Sequence, residues 1–154
     1  MPTVNGRVSH WYSELPRPRD PLPGDRRANV CIVGAGFTGL WTAFYLKQAA
    51  PELQITVLEQ RFAGFGASGR NGGWLSGLAP GHRGVLARRH GPDSVIAWQR
   101  LLNQAVDEVI AVAAAEGIAA DIVKGGMLDI ARNQPQAARL RGDFDEDRHW
   151  GITD

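Results

Sequence analysis

Apolar residues recur at two different spacings between residues 28 and 59. They alternate between two faces over positions 28–33 and 54–58, and they return every three or four residues across positions 37–49. Alternation is typical of a β-strand, and the wider spacing is typical of an α-helix. The pattern therefore predicts a strand, a helix and a second strand in succession, which is the order of a parallel α/β unit.

A glycine-rich turn of the form G-x-G-x-x-G joins the first predicted strand to the helix. Gly34 would allow the tight turn, Gly36 would let a pyrophosphate approach the backbone, and Gly39 would let helix and strand pack closely. A helix that begins near Phe37 would direct its free N–H groups toward the phosphates. Glu59 ends the second strand, where a carboxylate can accept hydrogen bonds from ribose hydroxyls. Together these features predict a dinucleotide site.

The second half of the chain is predicted to be mainly helical. A long helix over about 94–116 is expected, with Gly117 ending it and an apolar face formed by Trp98, Leu102, Ala105, Val109 and Val112. Residues 121–132 are predicted to form one or two short strands. Asn133 is expected to cap a short helix that has Pro135 in its first turn.

Composition and charge exclude several classes of function. The chain of 154 residues has 44% hydrophobic residues, 21% charged residues and a net charge of +1, so no nucleic-acid partner is expected. Its one cysteine, Cys31, is predicted to be a buried small hydrophobe. His82 and His90 are predicted to lie on the surface, and no metal site is expected. Without a signal core or a transmembrane run, the expected setting is cytoplasmic.

The long glycine-dense segment from Gln60 to Gly84 is the least ordinary part of the sequence. A loop of that length in a compact domain is either functional or disordered, and its aromatic residues favour a loop that wraps a ligand. Ser68 and Asn71 place hydrogen-bonding groups among residues of little bulk, as an extended polar cofactor requires.

Two stretches, VGAGFTGL (Val33 to Leu40) and VLEQRFAGFGASGRNGG (Val57 to Gly73), resemble FAD-dependent oxidoreductases of the D-amino-acid oxidase superfamily. The likeness is greatest to its amine-oxidising branch, which includes gamma-glutamylputrescine oxidase and glycine oxidase. The resemblance implies an α/β fold with a Rossmann-like, glutathione-reductase-like βαβ domain for FAD, followed by the start of an α+β substrate domain. Residues 1–27 would then form an irregular arm, 28–90 the FAD-binding part and 91–154 the beginning of a truncated substrate domain.

The same resemblance assigns the cofactor contacts residue by residue. The FAD pyrophosphate would be held by Gly34, Ala35, Gly36, Phe37, Thr38 and Gly39. The adenosine ribose would be met by Glu59 and Gln60, with Arg61 nearby. The pyrophosphate and ribityl chain would be followed by Ala67, Ser68 and Gly69. The flavin ring would be approached by Arg70, Asn71, Gly72 and Gly73.

The reaction implied by the resemblance is oxidation of a small amine or amino acid. A hydride would pass from the amine-bearing carbon to flavin N5, the imine would hydrolyse, and oxygen or another acceptor would reoxidise the flavin. No residue stands out as catalytic acid or base. Because such enzymes generally run well over twice as long, the chain is expected to be an N-terminal fragment that is inactive alone.

Two alternatives remain open from the residues alone. One is an NAD(P)-binding domain. Glu59 would suit NAD rather than its 2′-phosphorylated form, but this alternative leaves GASGRNGG (residues 66–73) without a role. The other is a non-catalytic nucleotide-binding module that a partner chain completes.

Overall fold

The computed structural model describes residues 8–12 and 14–152. The chain divides into two compact units, Met1–Trp74 and Leu75–Asp154. The first unit is an α/β arrangement with a small parallel sheet, and the described residues of the second form three α-helices.

The first unit is built on strand β1 (Val30–Val33), helix α1 (Phe37–Ala49) and strand β2 (Ile55–Leu58). The two strands pair in parallel, with Val30 opposite Ile55 and Val33 opposite Leu58. Parallel neighbours cannot be joined by a tight hairpin, so α1 serves as the crossover between them. The strand, helix and strand predicted from the apolar spacing are confirmed, with bounds within two residues.

Helix α1 ends where its sequence changes from helix formers to a proline turn. The N–H of Ala50 still donates to the carbonyl of Leu46 at 2.9 Å, and Pro51 then begins the turn. The ammonium group of Lys47 donates to the carbonyl of Pro51 and, at 3.0 Å, to that of Leu53. A cation in the last turn also complements the negative end of the helix dipole.

One face of the two-stranded sheet is more exposed than the other. Val30 and Ile32 are half-buried, whereas Cys31 is exposed and Val33 is 84% exposed. The predicted burial of Cys31 is therefore wrong. Parallel strands normally have both faces covered, and here the described residues leave the face that carries Cys31 open.

The second unit contains α2 (Arg83–His90), α3 (Pro92–Ala115) and α4 (Gln134–His149). Helix α2 begins at the end of the predicted loop, in a stretch to which the sequence pattern assigns no element. An ion pair of 2.6 Å between Arg83 and Asp147 joins α2 to α4. His82 and His90, at the two ends of α2, are exposed as predicted.

The predicted long helix is confirmed as α3, which begins two residues earlier than expected. Val95 and Ala113 are buried on its inner face, and the predicted Ala105 is exposed instead. Gly117 ends the helix as expected: it has a φ of +64°, and the next N–H donates to the carbonyl of Ala113 at 2.8 Å. This bond and the left-handed glycine together form a Schellman cap.

The prediction of one or two short strands over residues 121–132 is wrong, because the structure has no strand there and almost every residue is exposed. The predicted cap at Asn133 is confirmed, since its side chain accepts a bond of 3.0 Å from the N–H of Gln136. Helix α4 that follows is longer than the short helix expected. Among the described residues no helix is both long and apolar enough to cross a membrane.

Candidate functional site

The turn between β1 and α1 requires glycine at its first position. Gly34 has a φ of +101°, a left-handed conformation that side chains with a Cβ rarely adopt. Its N–H donates to the carbonyl of Leu58 at 2.7 Å, which fixes the end of β1 to the end of β2. The chain therefore turns away from the sheet at the carboxyl ends of both strands, where ligands bind in open α/β folds.

The other two glycines of the turn leave room for neighbouring atoms. A Cβ on Gly39 would lie 2.1 Å from the carbonyl oxygen of Gly34 and 3.2 Å from the side chain of Ile32. A Cβ on Gly36 would lie 3.0 Å from the hydroxyl of Ser68. Gly39 is thus required for helix–strand packing, and Gly36 keeps the start of α1 open.

A free N–H group in the first turn of α1 finds its hydrogen-bond acceptor in a loop that is distant in sequence. Gly36 occupies the N-cap position and has no side chain with which to cap the helix. The N–H of Phe37 instead donates to the hydroxyl oxygen of Ser68 at 3.0 Å. Ser68 lies in a 3₁₀ turn, Ala67–Gly69. The loop after β2 is therefore folded back onto the N-terminus of α1.

Glu59 connects the glycine turn to the end of β2. One carboxylate oxygen accepts from the N–H of Ala35 at 3.0 Å, and the other accepts from the N–H of Arg61 at 3.0 Å. These bonds favour the charged form and hold the pKa of Glu59 below its ordinary value, and the bond from Ala35 is the largest cause. Each carboxylate oxygen keeps a further lone pair that could accept from a ribose hydroxyl.

The rest of the loop is organised around one aromatic ring. The guanidinium groups of Arg70 and Arg61 lie 4.6 Å and 5.7 Å from the ring centroid of Phe65. Arg70 also donates to the carbonyl of Phe65 at 2.8 Å. The amide of Asn71 donates to the carbonyl of Ser68 at 3.0 Å, which ties the 3₁₀ turn to the stretch that follows.

The structure brings part of the predicted site together by direct hydrogen bonds. The residues so joined are Ala35, Phe37, Glu59, Arg61 and Ser68. Thr38 and Gln60 are exposed beside them, and Gly72 and Gly73 are exposed beyond Asn71. Gly73 donates its N–H to the side chain of Asn71 at 2.8 Å.

Sequence reasoning missed three residues that support this site. Tyr12 donates its hydroxyl to the carbonyl of Gly64 at 3.2 Å, and its ring meets Phe62 edge to face, with centroids 5.6 Å apart. Phe62 is buried, and the N–H of Gly64 donates to the carbonyl of Ala35 at 2.9 Å. The sequence signals were the aromatic run HWY (residues 10–12) within the arm and the aromatic residues of the loop, which include Phe62.

These residues fit a dinucleotide cofactor. Backbone amides at a helix N-terminus suit a pyrophosphate, glycines remove the Cβ atoms that would obstruct it, and an ionised carboxylate suits a ribose. Among the described residues there is no group of three metal-ligating side chains.

Comparison with known families agrees with this fit. Residues 29–154 match the model of the DAO family, described as FAD dependent oxidoreductase. The match covers most of the chain, so the chain belongs to the DAO family of FAD-dependent oxidoreductases.

Individual relatives match over shorter stretches. Gamma-glutamylputrescine oxidoreductase of Escherichia coli (strain K12) is 32% identical over 80% of this chain and 28% of its own length. The probable oxidoreductase OrdL of Rhizobium meliloti (strain 1021) is 44% identical over 41% of this chain and 15% of its own. The chain thus spans little more than a quarter of the first of these relatives. No solved structure matches it.

Proposed function

We propose that this chain carries the FAD-binding part of an oxidoreductase that oxidises an amine or an amino acid. The observation that supports it most is the network in which Glu59 and Ser68 reach the start of α1. The printed name of the Escherichia coli relative supports the class of substrate. We further propose a Rossmann-like, glutathione-reductase-like domain over residues 28–90, with 91–154 beginning an α+β substrate domain.

The proposed contacts follow from what each group can donate or accept. The pyrophosphate would lie at the start of α1, over Gly36, where the amides and the helix dipole favour an anion. Glu59 and Gln60 would meet the adenosine ribose, with Arg61 nearby. The remaining contacts, along the pyrophosphate, the ribityl chain and the flavin ring, would come from Ala67, Ser68, Gly69, Arg70, Asn71, Gly72 and Gly73.

When bound, FAD supplies an acceptor for the hydride that leaves the amine-bearing carbon. The role proposed for this chain is to bind and orient: Glu59 holds the ribose end, and Asn71 fixes the course of the loop at the ring end. The substrate imine would then hydrolyse, and oxygen or another acceptor would take the electrons. No side chain is assigned as acid or base.

Turnover by the 154-residue chain alone is proposed to be weak or absent. The chain spans 28% of the Escherichia coli relative, and we propose that the regions it does not span contribute to closing the substrate site. The NAD(P) alternative is not favoured, because the family is FAD-dependent. The cytoplasmic setting stays a prediction.

Titration with FAD tests this proposal. Visible flavin absorbance and quenching of flavin fluorescence should report binding to the wild-type chain. Gly36→Val should abolish it, because the new side chain would fill the space kept for the pyrophosphate and press on Ser68. Gly24→Val is the matched control, since a Cβ at Gly24 meets no atom within 4 Å.

Two results would count against the proposal. Tight binding of NAD by a chain that fails to bind FAD would contradict the choice of cofactor. Equal FAD affinity in Gly36→Val and wild type would contradict the assignment of the turn.

A further inference from the structure

The arm before β1 makes a specific contact with the cofactor loop. Within it, the N–H of Tyr12 donates to the carbonyl of Ser9 at 3.4 Å, and the N–H of Trp11 donates to the Ser9 hydroxyl at 3.3 Å. This turn presents the Tyr12 side chain, whose hydroxyl donates to the carbonyl of Gly64. Its ring rests edge to face on buried Phe62. The Tyr12 side chain therefore contacts the loop through both its ring and its hydroxyl.

Two glycines of the loop form a notch for the Tyr12 hydroxyl. A Cβ on Gly69 would lie 2.1 Å from that hydroxyl and 2.2 Å from the carbonyl oxygen of Gly64. Gly64 itself has a φ of +81°, and a Cβ there would lie 3.3 Å from the same hydroxyl. Steric fit as well as hydrogen bonding thus links the arm to the loop.

Both glycines of this notch are connected by hydrogen bonds, directly or through a neighbouring residue, to the start of α1. The N–H of Gly64 donates to the carbonyl of Ala35 at 2.9 Å. Ser68, next to Gly69 in the chain, accepts from the N–H of Phe37. A residue that fixes the separation of Gly64 and Gly69 therefore fixes where Ser68 meets the helix N-terminus.

We propose that Tyr12 is a positioning residue of the cofactor site, which holds residues 64–69 in the conformation that FAD binds. The proposal rests on the proposed function for the identity of the ligand. Its physical basis is preorganisation: a loop that is already ordered loses less conformational freedom when it binds.

Amide hydrogen exchange in the FAD-free chain tests the positioning itself. Tyr12→Ala should raise exchange at Gly64, Gly69 and Arg70 by about ten-fold, because both the ring contact and the hydroxyl bond are lost. Tyr12→Phe keeps the ring and should give a smaller rise of about three-fold. The matched control is Tyr45→Phe, which removes the same atom from a tyrosine stacked on Trp41 of α1.

FAD titration of the same variants tests the consequence for binding. Tyr12→Ala should lower the affinity for FAD by about ten-fold and alter the visible circular dichroism of the bound flavin. Tyr12→Phe should keep most of the wild-type affinity and most of the wild-type spectrum. The proposal is overturned if Tyr12→Ala exchanges at those three amides no faster than Tyr45→Phe. It is also overturned if Tyr12→Ala binds FAD as tightly as wild type. Failure of the wild-type chain to bind FAD would contradict the proposed function, and the exchange result would then decide the positioning role alone.

Discussion

Glu59 has a structural role in the first unit and is also the residue proposed to bind the ribose. Its two oxygens accept from the N–H groups of Ala35 and Arg61, so the carboxylate connects the glycine turn to the residues after β2. Charged acceptors make stronger hydrogen bonds than neutral ones. The turn is therefore held partly by the group proposed to bind the ribose.

We expect Glu59→Gln to lower both the FAD affinity, by about ten-fold, and the urea midpoint at neutral pH. The amide keeps one acceptor oxygen, so one of the two N–H groups loses its partner. Glu52→Gln, an exposed acid before β2, is the matched control. Equal urea midpoints for Glu59→Gln and Glu52→Gln would contradict the structural role.

Because the pKa of Glu59 is lowered, the difference in stability between wild type and Glu59→Gln should depend on pH. A folded pKa below the ordinary 4.5 means that the carboxylate contributes stability above pH 4.5. That contribution is lost as the pH falls through the lowered value. Urea unfolding of wild type and Glu59→Gln should therefore converge on acidification.

At the level of residues, the sequence predicts local requirements better than distant contacts. The roles of Gly34 and Gly39 follow from one motif, and the structure shows the backbone conformation and the close contact that each requires. Tyr12 was missed because its partner Gly64 is 52 positions away. Nothing in the spacing of an irregular arm indicates which loop it will touch.

Among the helices, α3 has a polar residue among its buried positions. Gln99 is fully buried on the inner face. Its side chain accepts from the N–H of Ala79 at 3.1 Å and donates to the carbonyl of Gly77 at 2.6 Å. Buried amides of this kind are tolerated because their hydrogen bonds are satisfied. Gln99 therefore ties residues 77–79 to the helix.

Gln99→Met should destabilise the chain by about 2–3 kcal/mol. The substitution preserves length and bulk but leaves the N–H of Ala79 and the carbonyl of Gly77 without their partner. Urea unfolding measures the change. Gln104→Met, at an exposed position of the same helix, should stay within about 0.5 kcal/mol of wild type. A similar loss in both variants would show that the buried bonds contribute little.

A helix or strand is predicted correctly when the signals that determine it lie within its own segment of the sequence. Helix α3 has a proline start, an apolar face and the glycine end at Gly117, all readable within the segment. Helix α2, RGVLARRH, carries too few apolar residues to show a period. The apolar residues of 121–132 favour a strand, but a strand also needs a partner, and the described residues provide none.

Across the whole molecule, apolar side chains are exposed in each of the two units. Val33 and Leu58 are exposed in the first unit, and Val123 and Leu128 are 87% and 83% exposed in the second. The sequence predicts which positions are apolar, but burial depends on what covers them. Exposed apolar surface of this kind favours association.

We expect the double variant Val123→Lys and Leu128→Lys to bind less hydrophobic dye and to self-associate less. Its free energy of unfolding should change by less than about 0.5 kcal/mol, because neither side chain is packed. Dye fluorescence, light scattering and urea unfolding measure these effects. The control, Ala119→Lys with Ala120→Lys, adds the same charge at small exposed positions. If the free energy of unfolding fell by more than about 1 kcal/mol in the Val123→Lys, Leu128→Lys variant but not in the control, residues 123–128 would be packed in solution.

The parallel pairing of β1 with β2 also sets the order in which the first unit can fold. Val30 meets Ile55 only after the intervening chain has closed a long loop, and closing it costs conformational entropy before any ladder bond forms. Helix α1 shortens that path, because thirteen of the intervening residues become a rigid rod with a fixed end-to-end distance. We therefore predict that the helix forms before the strands pair, and that the glycine turn, whose Gly34 N–H bonds to Leu58 at the end of β2, is among the last features of the unit to form.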